Sequence, residues 1–239
     1  MQQAVKDAAE AEKTRVAAEQ RALLTSDDIS ALPGSAVPAT GQFEVEFDTT
    51  VGKFTIEVNR AWAPVGAHQF YDLVRDGFFD DCGFFRVVPG FMVQFGLAAD
   101  PAVTARWSKE IPDDPVVESN RRGYVTFAKT SAPDSRSSQM FINFGDNSRL
   151  DADGFSPFGK VTRGMAVVDR ISAAHREQPD QGAITSQGNA YLKSNFPKLD
   201  YVVKARMIID DLEPEATDPA ATTEGKTDVP EAEDPPQVP

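Results

Sequence analysis

The chain has one cysteine and two histidines among its 239 residues, and both shortages exclude chemistry. A lone thiol, Cys82, cannot form an internal disulfide. It sits beside Asp80 and Asp81, whose charge raises its pKa and argues against a catalytic thiolate. His68 and His175 lie far apart in the chain, so no histidine metal site is expected. Asp151-Ala152-Asp153-Gly154 has its glycine too early for a calcium loop and no closing glutamate; it reads as a turn. Runs of 18 apolar residues are missing too, so no transmembrane segment is expected. The first 25 residues lack the continuous apolar stretch of a signal peptide. The compartment is then the cytoplasm by default, with an extracytoplasmic location left open. There is no basic stripe to displace counterions from a phosphate backbone, which argues against nucleic acid as a partner.

What is present is unevenly spread. The formal net charge is −13, yet residues 211–239 carry nine acids against one lysine, so the acidity is mostly a property of that tail. The tail also holds six prolines and almost no large apolar side chain, a composition that reads as disordered. Residues 4–24 are alanine and charge in helix-forming order, followed by Pro33, Gly34, Pro38 and Gly41 as linker signals. Phe, Val and Ile concentrate between these ends. Three parts follow: a charged Ala-rich helix and linker over 1–41, a folded domain over 42–210, and an acidic Pro-rich tail over 211–239. A segment of about 170 residues buries enough apolar surface to fold without metals or disulfides.

Within that segment the apolar residues alternate. Phe43, Val45 and Phe47, then Phe54, Ile56 and Val58, alternate with polar residues on either side of Thr49–Gly52, the pattern of a β-hairpin. Pro64 opens a helix whose Phe70, Leu73 and Val74 share a face before Gly77 ends it. Short strands are expected at 84–88, 91–94, 124–128, 140–144, 158–161 and 201–209, with a second helix over Met165–Ala174. Asp113-Asp114 reads as a pair of solvated loop acids, and residues 183–200 as an insertion without an evident role. Many short strands with two core helices predict a mainly β fold: a closed antiparallel barrel capped by two α-helices.

Three stretches carry the chemistry. The first is Phe84-Phe85-Arg86-Val87-Val88-Pro89-Gly90-Phe91-Met92-Val93-Gln94. The second is Ser137-Ser138-Gln139-Met140-Phe141-Ile142, and the third runs from Leu150 through Phe155 to Phe158-Gly159-Lys160-Val161. Taken singly, Arg86 is an edge-strand arginine with its head in solvent, and each aromatic is core. Taken together, in this order and spacing, the stretches resemble the cyclophilins over roughly residues 42–210. That family shows Arg-x-x-Pro-Gly-Phe-Met-x-Gln, then Ser-Gln-Phe-Phe-Ile, then Leu-Asp followed by Phe-Gly-Lys-Val.

The resemblance implies a peptidyl-prolyl cis/trans isomerase that assists protein folding, acting on proline-containing polypeptides as a monomer and without a cofactor or metal. It implies Arg86 and Gln94 as the catalytic pair, and Phe91, Met92, Ala128, Gln139, Phe141, Leu150 and Phe155 as the substrate-binding set. An alternative is a cyclophilin-fold module or chaperone that binds proline segments with little turnover. Four positions depart from the family's usual pattern. Phe85 and Phe155 stand at or near frequent histidines, Lys129 replaces a frequent asparagine, and Arg149 replaces an aromatic. The glycine-rich loop expected between Gly96 and Gly123 is replaced by a segment with Trp107, Pro112, Asp113, Asp114 and Pro115.

Overall fold

The computed structural model describes residues 41–208. The expected helix at 4–24, its linker and the acidic tail lie outside the described residues. The alternating segments become strands: β1 (Gln42–Thr49), β2 (Gly52–Asn59), β3 (Arg86–Val88), β4 (Met92–Phe95), β5 (Tyr124–Phe127), β6 (Met140–Asn143), β7 (Pro157–Arg163) and β8 (Val202–Ile208). They form one antiparallel sheet in the order β3-β4-β6-β5-β7-β2-β1-β8. The sheet curls until its edges meet. Gly83, just before β3, bridges Tyr201, just before β8. Phe84 N donates to Asp200 O at 3.0 Å and Val202 N to Cys82 O at 2.9 Å.

Period-two burial explains the curl. Val45, Phe47, Phe54, Ile56 and Val58 point inward and are fully buried, while Glu44 and Glu46 point outward onto Arg163 and Arg206. Phe47 and Phe54 are cross-strand partners whose rings stack at 5.1 Å, a pairing that stabilises a hairpin beyond its area burial. Helix α1 (Pro64–Arg75) lays Phe70 against Phe158 at 5.0 Å and Phe79 at 5.6 Å.

Pro64 starts α1 as expected, but Ala63 offers no side-chain cap. The missing acceptor is Asp114, whose carboxylate takes Val65 N at 3.0 Å and Gly66 N at 2.8 Å. This corrects the reading of Asp113-Asp114 as solvated acids. Asp114 is only 4 % exposed and pairs with buried Arg136 at 2.9 Å. Asp113 is half-buried and pairs with Lys129 at 2.7 Å. Asp114 caps the helix and pairs with Arg136, and Asp113 pairs with Lys129, so both acids are held in place by those partners.

The second anticipated helix is shorter than its apolar period suggests. It covers only Met165–Val168 (α3), although Ile171 still turns inward. Ser172 N donates to the Asp200 carboxylate at 2.7 Å instead of extending the helix. Three more short helices are present: α2 (Pro101–Arg106), α4 (Gln181–Gln187) and α5 (Asn189–Asn195). Asp100 and Asp180 supply N-caps to the first two, accepting from Ala102 N at 2.8 Å and Ala183 N at 2.7 Å. The insertion thus folds as α4 and α5, and it has its own small core of Ile184, Leu192 and Leu199 packed on Phe85 and Leu97. A phenylalanine at position 85 is therefore the floor of a second apolar cluster, not a cleft residue.

Candidate functional site

A tight turn brings the first motif together. Pro89 and Gly90 reverse the chain, Gly90 at φ 76°, and Phe91 N closes the turn on Val88 O at 3.0 Å. Glycine is favoured there because a side chain strains a left-handed backbone. The turn sets the register Val88↔Met92, Val87↔Val93 and Arg86↔Gln94. Because side chains alternate along a strand, Val87 and Val93 enter the core while Arg86 and Gln94 share the other face. β6 adds Phe141 opposite Gln94. Arginine, glutamine and phenylalanine therefore stand in one row across three strands.

Hydrogen bonds fix that row. Arg86 Nη1 donates to Gln94 Oε1 at 3.1 Å, and Gln94 Nε2 donates to Gln139 Oε1 at 2.9 Å. Gln139 O accepts from Ala128 N at 2.9 Å, which seats the end of β5 beside the start of β6. The floor is apolar: Met92 is 1 % and Phe141 5 % exposed. The 3₁₀ helix over Ser148–Asp153 delivers Leu150, and Phe155 N returns to Leu150 O at 3.3 Å. Phe155 then meets Phe141 edge-on at 5.9 Å. Asn147 Nδ2 holds the Phe91 carbonyl at 2.8 Å, and the Arg149 guanidinium lies 4.8 Å from the Phe91 ring centre.

All nine residues expected from the sequence, from Arg86 to Phe155, line a single cleft of about 290 Å³. Lys129 adds a cation to its rim, held by Asp113. Burial pushes the Asp113 carboxyl up, but the Lys129 ammonium and the Asp134 amide outweigh it and hold the group below its ordinary range. The sequence reading missed Glu177. Its Oε1 accepts from Arg86 Nε at 2.7 Å and lies 2.5 Å from Nη2. No local pattern in His175-Arg176-Glu177-Gln178 announces this contact, which spans ninety-one positions of chain. Gln181, at the start of α4, also reaches the cleft. Among the described residues, no group of three or more His, Cys, Asp or Glu could hold a metal ion, and no helix is long and apolar enough to cross a membrane.

The family model for "Cyclophilin type peptidyl-prolyl cis-trans isomerase/CLD" matches residues 43–188. The chain belongs to the cyclophilin family. It is 36 % identical over 152 residues to peptidyl-prolyl cis-trans isomerase A of Dickeya dadantii, covering 59 % of this chain and 77 % of that one. It is 33 % identical over 156 residues to peptidyl-prolyl cis-trans isomerase B of Escherichia coli, covering 59 % and 94 %. Among solved structures, a cyclophilin from Hirschia baltica superposes with a TM-score of 0.53 at 20 % identity, covering 80 % of this chain and 83 % of that one. A cyclophilin type peptidyl-prolyl cis-trans isomerase from Cryptosporidium parvum gives 0.52 at 19 %, covering 70 % and 98 %. At that identity the structural likenesses speak for the fold, and they agree with the curled eight-stranded sheet. Of the two helices α4 and α5, the first ends inside the matched span and the second lies beyond it.

Proposed function

We propose that this cyclophilin turns X–Pro bonds between cis and trans with Arg86 as the catalytic residue, and that its substrates are proline-containing segments of unfolded or flexible polypeptides. Rotation about an amide is opposed by about 18–20 kcal/mol of C–N double-bond character. No covalent bond has to break, so the task is to stabilise the twisted amide. As the bond twists, the prolyl nitrogen becomes pyramidal and gains a lone pair. Arg86 donates a hydrogen bond to that lone pair, which exists only near the transition state, so the interaction lowers the barrier without tightening the ground state.

The other residues take supporting roles in this reading. Gln94 orients the guanidinium from its inner side. Gln139, whose Oε1 is engaged by Gln94, has its amide N–H groups for a substrate carbonyl. Phe91, Met92, Phe141, Leu150 and Phe155 grip the proline ring and keep water away, and the small Ala128 leaves room for the neighbouring residue. Dry walls strengthen the field of the arginine. The cleft is complete within one chain, which supports a monomeric working form.

The observation that carries this reading is the Arg86–Gln94–Gln139 hydrogen-bond chain laid across a floor of Met92 and Phe141. Exchange spectroscopy on several X–Pro peptides tests it: catalysed cis/trans exchange well above the spontaneous rate is expected. Binding of those peptides without faster exchange would leave a proline-segment binding module in its place.

A further inference from the structure

The loop over residues 172–180 approaches Arg86 from outside the barrel, and it is tied down along its length. Ser172 N donates to Asp200 Oδ2 at 2.7 Å, and Val87 N, on the free edge of β3, donates to Arg176 O at 3.0 Å. Lys198 N donates to His175 Nε2 at 3.3 Å, while the His175 ring meets Phe196 edge-on at 5.2 Å. Asp180 N donates to the Tyr191 hydroxyl at 3.2 Å. Apart from Val87, each of these partners belongs to the segment that folds as α4, α5 and the chain up to β8. That segment is anchored in turn by the Ile184, Leu192 and Leu199 cluster on Phe85.

This bracing presses Glu177 onto Arg86. Glu177 takes Nε and Nη2 of the guanidinium, and Gln94 takes Nη1. Every nitrogen of the arginine head thus has a partner before substrate arrives. Gln94 already orients the head from within, and the β3–β4 register fixes its stem, so the carboxylate is not needed to select the conformation. What it adds is charge. A negative oxygen at hydrogen-bond distance sets an opposing potential where Arg86 must stabilise a developing lone pair.

We propose that Glu177 tempers Arg86 through its charge, and that the 181–200 segment serves to hold it there. The proposal rests on the isomerase reading above. The pair is partly open to solvent, with side chains 34 % and 55 % exposed, so its effect is moderate and salt screens it.

The test uses the full chain and NMR exchange at saturating and sub-saturating X–Pro peptide. Glu177→Gln should raise turnover roughly two- to five-fold, the range over which exposed ion pairs act, with KM little changed. Wild-type turnover should climb between about 20 mM and about 500 mM NaCl as the Debye length shrinks, and Glu177→Gln should not respond. In an Arg86→Lys background the gain should vanish, because the carboxylate acts through the guanidinium. Glu177→Asp, one carbon shorter, should fall between wild type and Glu177→Gln. The Arg86 Nε–H resonance reads the pair directly and should lose its protection from solvent exchange in Glu177→Gln. An active wild type with Glu177→Gln no faster, or an equal gain in the Arg86→Lys background, overturns the proposal alone. A wild type without catalysed exchange sinks the isomerase reading as well.

Discussion

The Asp114 carboxylate joins two parts of the barrel wall: it accepts from Arg136 Nη1 at 2.9 Å and from the first free amides of α1, those of Val65 and Gly66. Both charged side chains are buried, Asp114 at 0 % and Arg136 at 2 % side-chain exposure. The Arg136 head also donates to the Pro112 carbonyl, so the segment that stands where a glycine-rich loop was expected is stitched to the strand side of the cleft.

Removing one partner of such a pair leaves the other charge buried without a counter-ion, which costs about 3–5 kcal/mol. Asp114→Asn should therefore lower stability by about 3 kcal/mol in urea denaturation, since the amide can still accept one α1 hydrogen bond. The double variant Asp114→Asn, Arg136→Met should recover part of the loss. Equal stability of Asp114→Asn and wild type would show that the pair contributes nothing net.

The legible parts of this molecule are those decided by local pattern. Alternation at 43–47 and 54–58 identified a hairpin because its inward pairs, Phe43 with Val58, Val45 with Ile56 and Phe47 with Phe54, are all apolar while the outward ones are polar. Pro64 and Gly77 marked α1 to within two residues. The cleft residues were legible because one contiguous motif, matched to the cyclophilin pattern, carries Arg86 on β3, Phe91 in the turn, and Met92 and Gln94 on β4. Asp114 was misread because its helix-capping role depends on Val65, 49 positions away. Glu177 escaped because an acid in a polar loop looks the same whether it meets solvent or an arginine. Helices of six or seven residues carry too little periodicity to be separated from loop.

The second apolar cluster gives a separable prediction. Leu192 is 1 % exposed between Phe85 and the α4–α5 pair, and its terminal carbon sits against Gly83. Leu192→Ala should cost about 2–4 kcal/mol by lost burial and a residual cavity. Hydrogen exchange should show the loss concentrated at 172–200, with the Phe47–Phe54 hairpin protected as before. Uniform loss of protection would mean that the insertion and the barrel unfold as one unit.

Cys82 is fully buried, and its thiol is pushed up to about 12 chiefly by burial, with Asp80 and Asp81 adding to the effect. The neighbouring acids act in the direction expected from the sequence, but they are the lesser cause. An alkylating reagent at pH 8 should leave the folded protein untouched and label it at once in denaturant. The linkage has a definite sign. The thiol keeps its proton in the fold while the unfolded chain releases it from about pH 8.5–9, so this contribution to stability is full below that point and falls as pH rises toward 12. Cys82→Ala should flatten the decline. Rapid labelling of the folded protein would show that Cys82 is reached by solvent.

Arg86 decides between catalysis and mere binding. If it donates to the prolyl nitrogen only when the amide is twisted, its loss removes an interaction that the ground state lacks, and turnover should fall more than affinity. A hydrogen bond of that kind in a water-poor site is worth about 3–4 kcal/mol, or roughly a 100- to 1,000-fold rate loss in Arg86→Ala. Arg86→Lys should recover little, because an ammonium cannot donate to Gln94, to Glu177 and to the substrate in one plane. Phe141→Ala should behave oppositely: it opens the cleft floor and raises KM, while the arginine and its hydrogen-bond chain remain for those substrates that do bind. Measuring catalysed exchange and peptide affinity side by side on the three variants separates the roles. If Arg86→Ala weakens binding and slows exchange in equal proportion, the arginine is gripping the ground state, and transition-state donation is the wrong account of this cleft.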